Sequence, residues 1–457
     1  MSMELIEFVL PLAMLPVLAV FLFSGYPVAL VLAGVGILFS ALAMSFDLMP
    51  AAALFNLPLR VWGSVNGNLI YPAVPMLLFM GLALERSGVA EDMLLCMRVL
   101  LRRVPGSLAV GVTILGILLA PAAGLIGASV ATLGVVALPT MLRQGYRADF
   151  ATGSVAAAGT LGIILPPGIM LFFLAQLMQV TMGALFLSTM LPGLLLALMF
   201  IAYYAIRAAI TPALAPGIGD GETPVSGSLS IYVFRSLALP VLLIATVLGS
   251  IIAGWATPTQ SGTLGAAGGL LLMALHRRLS LRSMHEVVAA TARTTAMVFF
   301  IVIAAAVFSY PFRYLSGDEL IAGLIVSTGL GDWGLLLLIL MIIFILGFFI
   351  DWIEIAVITL PIFLPVLREL DFAAYVGSAD LALVWIAVLI ALVLQTSFLT
   401  PPFGFSLFFV KGAAPPSVRL IDVYRGVMPM LALQALMVAL VLILPSIAVW
   451  LPERILD

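Results

Sequence analysis

Long apolar runs separated by short polar segments occupy most of the chain. A helix needs about 20 apolar residues to cross the hydrocarbon core of a bilayer, and eight uninterrupted runs come near that length. They lie near residues 5–23, 27–46, 68–84, 185–206, 234–254, 258–275, 294–311 and 426–450. The pattern predicts an all-α polytopic membrane protein.

Four further apolar regions are interrupted. Regions 107–142 and 334–370 break around "AAGLIGAS" and "FIDWIE", and the halves of 107–142 are short for a full crossing. Regions 148–180 and 381–413 each contain a pair of prolines. Backbone without helical hydrogen bonds is tolerated at membrane depth only inside protein or beside an aqueous cavity. We therefore predict two re-entrant hairpins and two discontinuous helices, whose interruptions converge on one internal site.

The interrupted regions belong to a repeat of the whole chain. Five pairs of short segments correspond in order, with offsets of 226 to 237 residues. Each half is predicted to cross five times, which is an odd number, so the second half is inverted relative to the first. The first repeat, 1–210, contains scaffold helices in 1–106, the hairpin 107–142, the broken helix 148–180 and a last span at 185–206. A cytoplasmic linker, 211–230, precedes the second repeat, 231–457, with scaffold helices in 231–311, the hairpin 334–370, the broken helix 381–413 and a last span at 426–450.

Composition supports the membrane interpretation and sets the orientation. The chain is 64% hydrophobic and 9% charged, whereas about a quarter of a soluble domain is charged. A net charge of −2 without a basic cluster excludes nucleic acid as a partner. If the first run, read as a retained span, enters from outside, the cytoplasmic intervals hold 15 of the 19 basic residues. The positive-inside rule then predicts periplasmic termini.

The proline pairs suggest cation chemistry. Proline has no N–H, so Pro166–Pro167 should leave the carbonyls of Gly162 and Ile163 without helical donors, and Pro401–Pro402 should do the same for those of Ser397 and Phe398. A bound Na+ can take such oxygens as ligands, as in transporters built from discontinuous helices. A simple kink is the alternative. The candidate Na+ ligands are Ser129, Thr132, Thr160, Gly162, Asp351, Ser397 and Thr400.

An anionic substrate could lie between the two breaks. Each helix that restarts after a break presents its positive N-terminal end, which suits an anion. Asp351 and Glu354 are the carboxylates inside an apolar segment; Asp351 falls at the interruption, whereas Glu354 could equally be a structural group. The candidate substrate contacts are Gly127, Pro166, Gln395, Thr396 and Pro401.

The whole chain resembles the large membrane subunit of tripartite ATP-independent periplasmic (TRAP) transporters. The resemblance is carried by "GLIGASVATLGVVALPTMLRQGY", "AAGTLGIILPPGIM", "ATPTQSGTLGA", "GFFIDWIEIAVITLPIFLPVL" and "FLTPPFGFSLFF". It implies a Na+-coupled, elevator-type importer in the bacterial inner membrane, with a scaffold and a moving domain of two hairpins and two broken helices. It also implies a small four-helix membrane subunit and a periplasmic binding protein that delivers a carboxylate.

Two departures from the family pattern bear on the site. The first hairpin of the family usually reads Gly-Ser-Ser-Ala-Ala-Thr, and here Ala128 replaces a serine. The second commonly reads Met-Asp-Pro-Thr; Asp351 matches, but Trp352 and Ile353 do not. "DWIEI" with "QTSFLTPPFGFSLFF" resembles the mannitol/chloroaromatic branch, which favours a monocarboxylate such as a 2-oxo acid, a hydroxy acid or an aromatic carboxylate.

Two other functions fit parts of the sequence. A stand-alone two-hairpin Na+/dicarboxylate symporter would have a similar architecture. An intramembrane aspartyl protease is suggested by "GIGD" at 217–220, which would pair Asp220 with Asp351. The position of Asp220 in the polar linker argues against that chemistry, and we expect the protein not to be an enzyme.

Overall fold

A computed structural model of the chain describes residues 3–67, 71–101, 104, 106–119, 126–217, 233–402 and 404–456. Helices joined by turns make up this part of the chain, and no strand occurs in it. Six helices are long and apolar enough to cross a membrane. The prediction of an all-α polytopic membrane protein is confirmed.

Twenty-one α-helices are present in the described ranges. In chain order they are α1 (Met3–Leu22), α2 (Val28–Ser45), α3 (Asn56–Val61), α4 (Ala73–Arg86), α5 (Val89–Leu100), α6 (Ser107–Leu118), α7 (Ile126–Arg143), α8 (Ala148–Ile164), α9 (Ile169–Met178), α10 (Met182–Ile210), α11 (Leu239–Ile252), α12 (Pro258–Leu275), α13 (Leu281–Tyr314), α14 (Gly317–Val326), α15 (Gly331–Leu346), α16 (Trp352–Glu369), α17 (Ala373–Val376), α18 (Ala379–Ser397), α19 (Phe405–Ala413), α20 (Leu420–Ile443) and α21 (Ser446–Leu456).

The crossing helices are α1, α2, α10, α13, α18 and α20. Two bent pairs each have the length and composition of one further crossing: α4 with the start of α5, bent by 55°, and α8 with α9, bent by 41°. The first hairpin arm, α6, has 12 residues, which span about 18 Å at 1.5 Å per residue, short of the hydrocarbon thickness of about 30 Å. The ten crossings and the inversion of the second half stay predictions.

Two predicted spans have other bounds in the structure. The run at 294–311 is the inner part of the 34-residue α13, which starts earlier because the side chains of Ser280 and Ser283 form a capping box. The run at 426–450 is divided at Pro445, which cannot donate to Val441. Trp385 Nε1 donates to Val441 O instead, at 2.8 Å.

The predicted linker begins with a docked segment rather than a free one. A short 3₁₀ turn, Pro212–Leu214, buries Leu214. The amide of Arg147 donates to Leu214 O at 2.9 Å, and that of Gly106 donates to Ala215 O at 3.3 Å. Backbone hydrogen bonds therefore fix this segment against the regions where α6 and α8 begin; residues 218–230 lie outside the described part of the chain.

The helices pack as two sets. The peripheral set consists of α1, α2, α4, α11, α12 and α13, and the hairpin set consists of α6–α10, α15, α16 and α18–α21. The amphipathic helices α5 and α14 pack against both. Small residues permit close approach within each set: a Cβ at Gly153 of α8 would lie 2.9 Å from Gly426 Cα of α20. The helices on either side of each of the four interruptions belong to the hairpin set.

Candidate functional site

The first broken helix has two carbonyl oxygens without a hydrogen-bond donor. α8 ends at Ile164 and α9 begins at Ile169, with the cis peptide Pro166–Pro167 between them. Within the described residues no donor reaches the oxygens of Gly162 and Ile163, and both residues are buried. Since an unpaired buried carbonyl is costly in a membrane interior, these two oxygens can accept a cation.

Gly168 leaves open the space onto which these oxygens converge. A Cβ placed on Gly168 would lie 2.9 Å from Gly162 O, 3.0 Å from Leu165 O and 3.4 Å from Ile163 O. Gly168 has φ −66° and ψ 141°, a conformation that any residue adopts. Its lack of a side chain therefore matters for the space between the three oxygens and not for the backbone conformation.

The first hairpin brings a free hydroxyl to the same region. Ser129 Oγ is buried and has no hydrogen-bond partner in the described structure. A Cβ at Gly159 would lie 3.0 Å from Val130 Cα. Helices α7 and α8 are therefore in contact at Val130, the residue after Ser129, and at Gly159, which is one helical turn before Gly162. Hydroxyl and carbonyl oxygens are the ligand types that hard cations such as Na+ prefer. The oxygens at Gly168 and the hydroxyl of Ser129 are thus of the types that would fit a Na+ ion.

Two other hydroxyls predicted for this region have protein partners. Thr160 Oγ1 donates to Ala157 O at 2.9 Å and accepts from Gln434 Nε2 at 3.4 Å. Thr132 Oγ1 donates to Glu85 Oε1 at 2.7 Å, which connects the hairpin set to α4 of the peripheral set. The hydroxyl proton of Thr132 is therefore used by Glu85, and the role of Thr132 as a cation ligand stays a prediction.

At the second break the carbonyls that lose their helical donors to the prolines have other protein donors. α18 ends at Ser397 and α19 begins at Phe405, with the cis peptide Pro401–Pro402 between them. Phe398 O accepts from the amide of Ser406 at 3.2 Å and from its hydroxyl at 2.7 Å, and Ser397 O accepts from the Thr400 amide at 3.1 Å. The chain turns back so tightly here that groups downstream replace the donors that the prolines lack.

Hydroxyl groups line the approach to the second break. Thr396, Ser397 and Thr400 each donate to a carbonyl three or four residues earlier, at 2.8, 2.7 and 2.9 Å. Their oxygens still have lone pairs for another ligand. A Cβ at Gly404 would lie 2.7 Å from Phe398 O and 2.9 Å from Thr400 O. Oxygens therefore also converge here, but more of their capacity is used by protein donors.

Each hairpin packs against the restarted helix of the other half of the chain. Gly127, at the start of α7, is in contact with the ring of Phe409 on α19, where a Cβ could not fit. Trp352, at the start of α16, meets the ring of Phe173 on α9 with centroids 5.9 Å apart. In addition, Gly347 at the turn of the second hairpin lies directly against the hydroxyl of Ser397. These contacts bring the start of α7 and the turn of the second hairpin to the helices that flank the two breaks; residues 120–125, between α6 and α7, lie outside the described part of the chain.

The two predicted carboxylates occupy the first turn of α16. Asp351 caps the helix, because its Oδ1 accepts from the Trp352 amide at 2.7 Å. Glu354 is buried, and its Oε2 has no hydrogen-bond partner in the part of the chain that the structure describes. Asp351 is thus held at the interruption by its capping bond.

Gln395 is a further buried polar residue near the breaks. It is 0% exposed, and neither its Oε1 nor its Nε2 has a partner among the described residues. It lies on α18 shortly before Pro401, which is half-buried, whereas Pro166 is buried. Gln434, which contacts Thr160, was not predicted as a site residue; the signal for it is a lone amide in an apolar span.

Two hairpins and two interrupted helices, packed together inside a membrane protein with their polar groups at the interruptions, define a secondary transporter. The fold is that of a crystal structure of the Alcanivorax borkumensis YdaH transporter, with a TM-score of 0.59 and 14% sequence identity over 88% of this chain and 91% of that one. Residues 15–447 match the family of the tripartite ATP-independent periplasmic transporter, DctM component. The chain belongs to this family.

Several relatives are similar over most of their length. The C4-dicarboxylate TRAP transporter large permease protein DctM of Pseudomonas aeruginosa is 27% identical over 83% of this chain and 86% of its own. The sialic acid TRAP transporter large permease protein SiaM of Vibrio cholerae is 28% identical over 95% and 96%. The ectoine/5-hydroxyectoine large permease protein UehC of Ruegeria pomeroyi is 26% identical over 83% and 85%.

Membership in this family establishes that the protein is a transporter. The family and these relatives are transporter permeases, so the prediction that the chain is not an enzyme is confirmed and the aspartyl protease alternative is wrong. Asp220 lies outside the described residues. A tripartite transporter also implies that this permease works with a substrate-binding protein and a small membrane subunit.

Proposed function

We propose that the protein imports an organic acid by Na+ symport, after a periplasmic binding protein has delivered it. The observation that carries the proposal is the first break, where the carbonyls of Gly162 and Ile163 and the hydroxyl of Ser129 are buried without partners. Na+ bound there would supply the positive charge that these oxygens lack. The chain's own contribution is to hold the oxygens apart at Gly168 and to exclude water by burial.

A second cation would be held by the other break. Asp351, Ser397 and Thr400 supply its oxygens, and the carbonyl of Thr400 has one lone pair left after accepting from the Gly404 amide at 2.9 Å. Two cations carried with one monocarboxylate move one net charge inward. That charge is worth roughly 2.3 kcal/mol per 100 mV of membrane potential. An inside-negative potential would then drive uptake.

The substrate would lie between the breaks. Gln395 offers an amide N–H₂ to a carboxylate oxygen, and burial without a partner makes that interaction favourable. Gly127, Pro166, Thr396 and Pro401 would form the walls. The "DWIEI" segment favours a monocarboxylate, namely a 2-oxo acid, a hydroxy acid or an aromatic carboxylate.

The partners and the movement complete the proposal. The chain would sit in the bacterial inner membrane with periplasmic termini, and the small four-helix subunit would pack against it. The hairpin set would move against the peripheral set as an elevator. The docking of α5 and α14 on both sets supports this division, since amphipathic helices at a membrane surface can follow such a movement.

The test is uptake into proteoliposomes that contain this chain, the small subunit and the binding protein. We expect uptake to require Na+, the binding protein and an inside-negative potential. Equal uptake with choline in place of Na+ would refute the coupling. Uptake without the binding protein would favour the stand-alone symporter instead.

Ser129→Ala tests the site itself. Loss of one oxygen ligand should raise the half-saturating Na+ concentration. Ser236→Ala is the matched control, because Ser236 Oγ is also buried and unpartnered among the described residues but lies in the segment Phe234–Ala238, which packs on α5 and α11. If both variants had the same effect, the hydroxyl of Ser129 would have no role in cation binding.

A further inference from the structure

A basic cavity lies at one end of the hairpin set, away from the breaks. It has a volume of about 250 Å³ and lies where α8 and α20 begin and where α10 ends. Its lining includes Arg147, Arg207 and Arg425. The positive-inside rule assigns all three to the cytoplasmic face.

The charge of this cavity is only partly balanced. Arg147 and Asp149 form a double hydrogen bond, with both N–O distances 2.6 Å, so these two lining residues neutralise each other. Arg207 and Arg425 form no ion pair with any residue that the structure describes. The nearby carboxylate of Asp422 is paired with Arg419. The Asp422 carboxylate also interacts electrostatically with Arg425, but no hydrogen-bonded carboxylate occupies the guanidinium of Arg207 or Arg425 among the described residues, so both groups are available to an anion.

Both arginines stand between exposed apolar side chains. On α10, Ile206 and Ile210 are 57% and 71% exposed, on either side of Arg207. Tyr203 lines the cavity one turn earlier, and tyrosine is a residue type that is enriched at membrane interfaces.

The same pattern occurs on α20. Ile421 and Met428, which are 44% and 56% exposed, lie one turn before and one turn after Arg425. Exposed side chains that suit acyl chains therefore flank both arginines just outside the lining of the cavity. A free inorganic anion would gain nothing from these apolar groups.

We propose that this cavity binds the phosphate of an anionic glycerophospholipid from the cytoplasmic leaflet. Arg207 and Arg425 would hold the phosphate, because guanidinium donors match its geometry. The acyl chains would lie along Ile206, Ile210 and Met428. Basic pockets between membrane helices on this side are a known type of lipid-headgroup site. The bound lipid would join α10 to α20 in the hairpin set.

The experiment is native mass spectrometry of the purified full chain with phosphatidylglycerol or phosphatidylcholine of matched acyl chains. We expect the wild type to retain phosphatidylglycerol preferentially. A basic residue near an anionic surface contributes about a fivefold effect, so Arg207→Gln with Arg425→Gln should weaken retention about 25-fold. Arg207→Lys with Arg425→Lys keeps the charge and should retain most of the binding.

The matched control is Arg282→Gln. Arg282 is 91% exposed and forms an ion pair with Glu286 in another cytoplasmic segment, outside this cavity. An equal loss of phosphatidylglycerol in this control would mean that general surface charge binds the lipid, and would overturn the proposal. So would displacement of the lipid by millimolar inorganic phosphate or glycerol 3-phosphate, because the cavity would then be a site for free anions.

Discussion

Gly168→Ala gives the sharpest test of the cation site at the first break. The added methyl group would lie 2.9, 3.0 and 3.4 Å from the oxygens of Gly162, Leu165 and Ile163. Carbon–oxygen contacts this short require the oxygens to move. The backbone of Gly168 accommodates alanine, since its φ is −66°, so the perturbation is confined to the space between the oxygens.

The size of the effect follows from the cost of an extra methyl group in a packed interior, about 1–3 kcal/mol. If the oxygens are cation ligands, this cost falls on the Na+-bound geometry. The half-saturating Na+ concentration should then rise by about fivefold to 150-fold. The maximal rate at saturating Na+ should change less.

Two measurements check this. One is the Na+ dependence of uptake in proteoliposomes, and the other is the rise in thermal unfolding temperature of the purified chain as Na+ replaces choline. Gly183→Ala is the control, because a Cβ at Gly183 has nothing within 4 Å. If Gly168→Ala needed no more Na+ than Gly183→Ala in both assays, the first break would not be a cation site.

Three other substitutions test neighbouring contacts. Gln395→Leu removes a buried amide without partners, so the chain should unfold at the same temperature or higher while uptake falls at least tenfold; a fall in stability would show that the amide is satisfied by protein. Thr132→Val removes the hydroxyl that donates to Glu85, and hydrogen bonds to charged groups contribute about 1.5–3 kcal/mol. Amide hydrogen exchange in α7 should therefore become faster, and unchanged exchange would contradict this. Ser406→Ala removes one of two donors to Phe398 O and should lower the unfolding free energy by about 1 kcal/mol, measured by denaturant titration; no change would mean that the amide of Ser406 suffices.

Features of the structure could be predicted from the sequence where a residue type has a single physical consequence. A proline cannot donate, so both helix interruptions could be placed from Pro166 and Pro401 alone. The apolar runs likewise gave the approximate bounds of most helices. Ser129 and Gln395 were identifiable as site candidates because few hydroxyls and amides occur in such apolar surroundings.

The sequence could not show how freed carbonyls are satisfied, because that depends on where the chain returns in space. Ser406 reaches back to Phe398, whereas no analogous donor among the described residues reaches Ile163, although both breaks contain the same proline pair. Thr132 illustrates the same limit. It shares a hairpin with Ser129, yet its hydroxyl bonds to Glu85 on a distant helix, and sequence spacing alone does not determine that direction.

Each half of the chain contacts the other through its hairpin. The contacts join Gly127 to Phe409 and Trp352 to Phe173, and they limit how the chain can be divided or redesigned. The helix that follows each hairpin rests on the restarted helix of the other half, so neither half can form these contacts alone. Fragments ending and starting near residue 218 should consequently be inactive separately and recover function only when produced together. A substitution at one proline pair that changes the substrate specificity should likewise require a compensating substitution near the other pair, some 235 positions away along the chain.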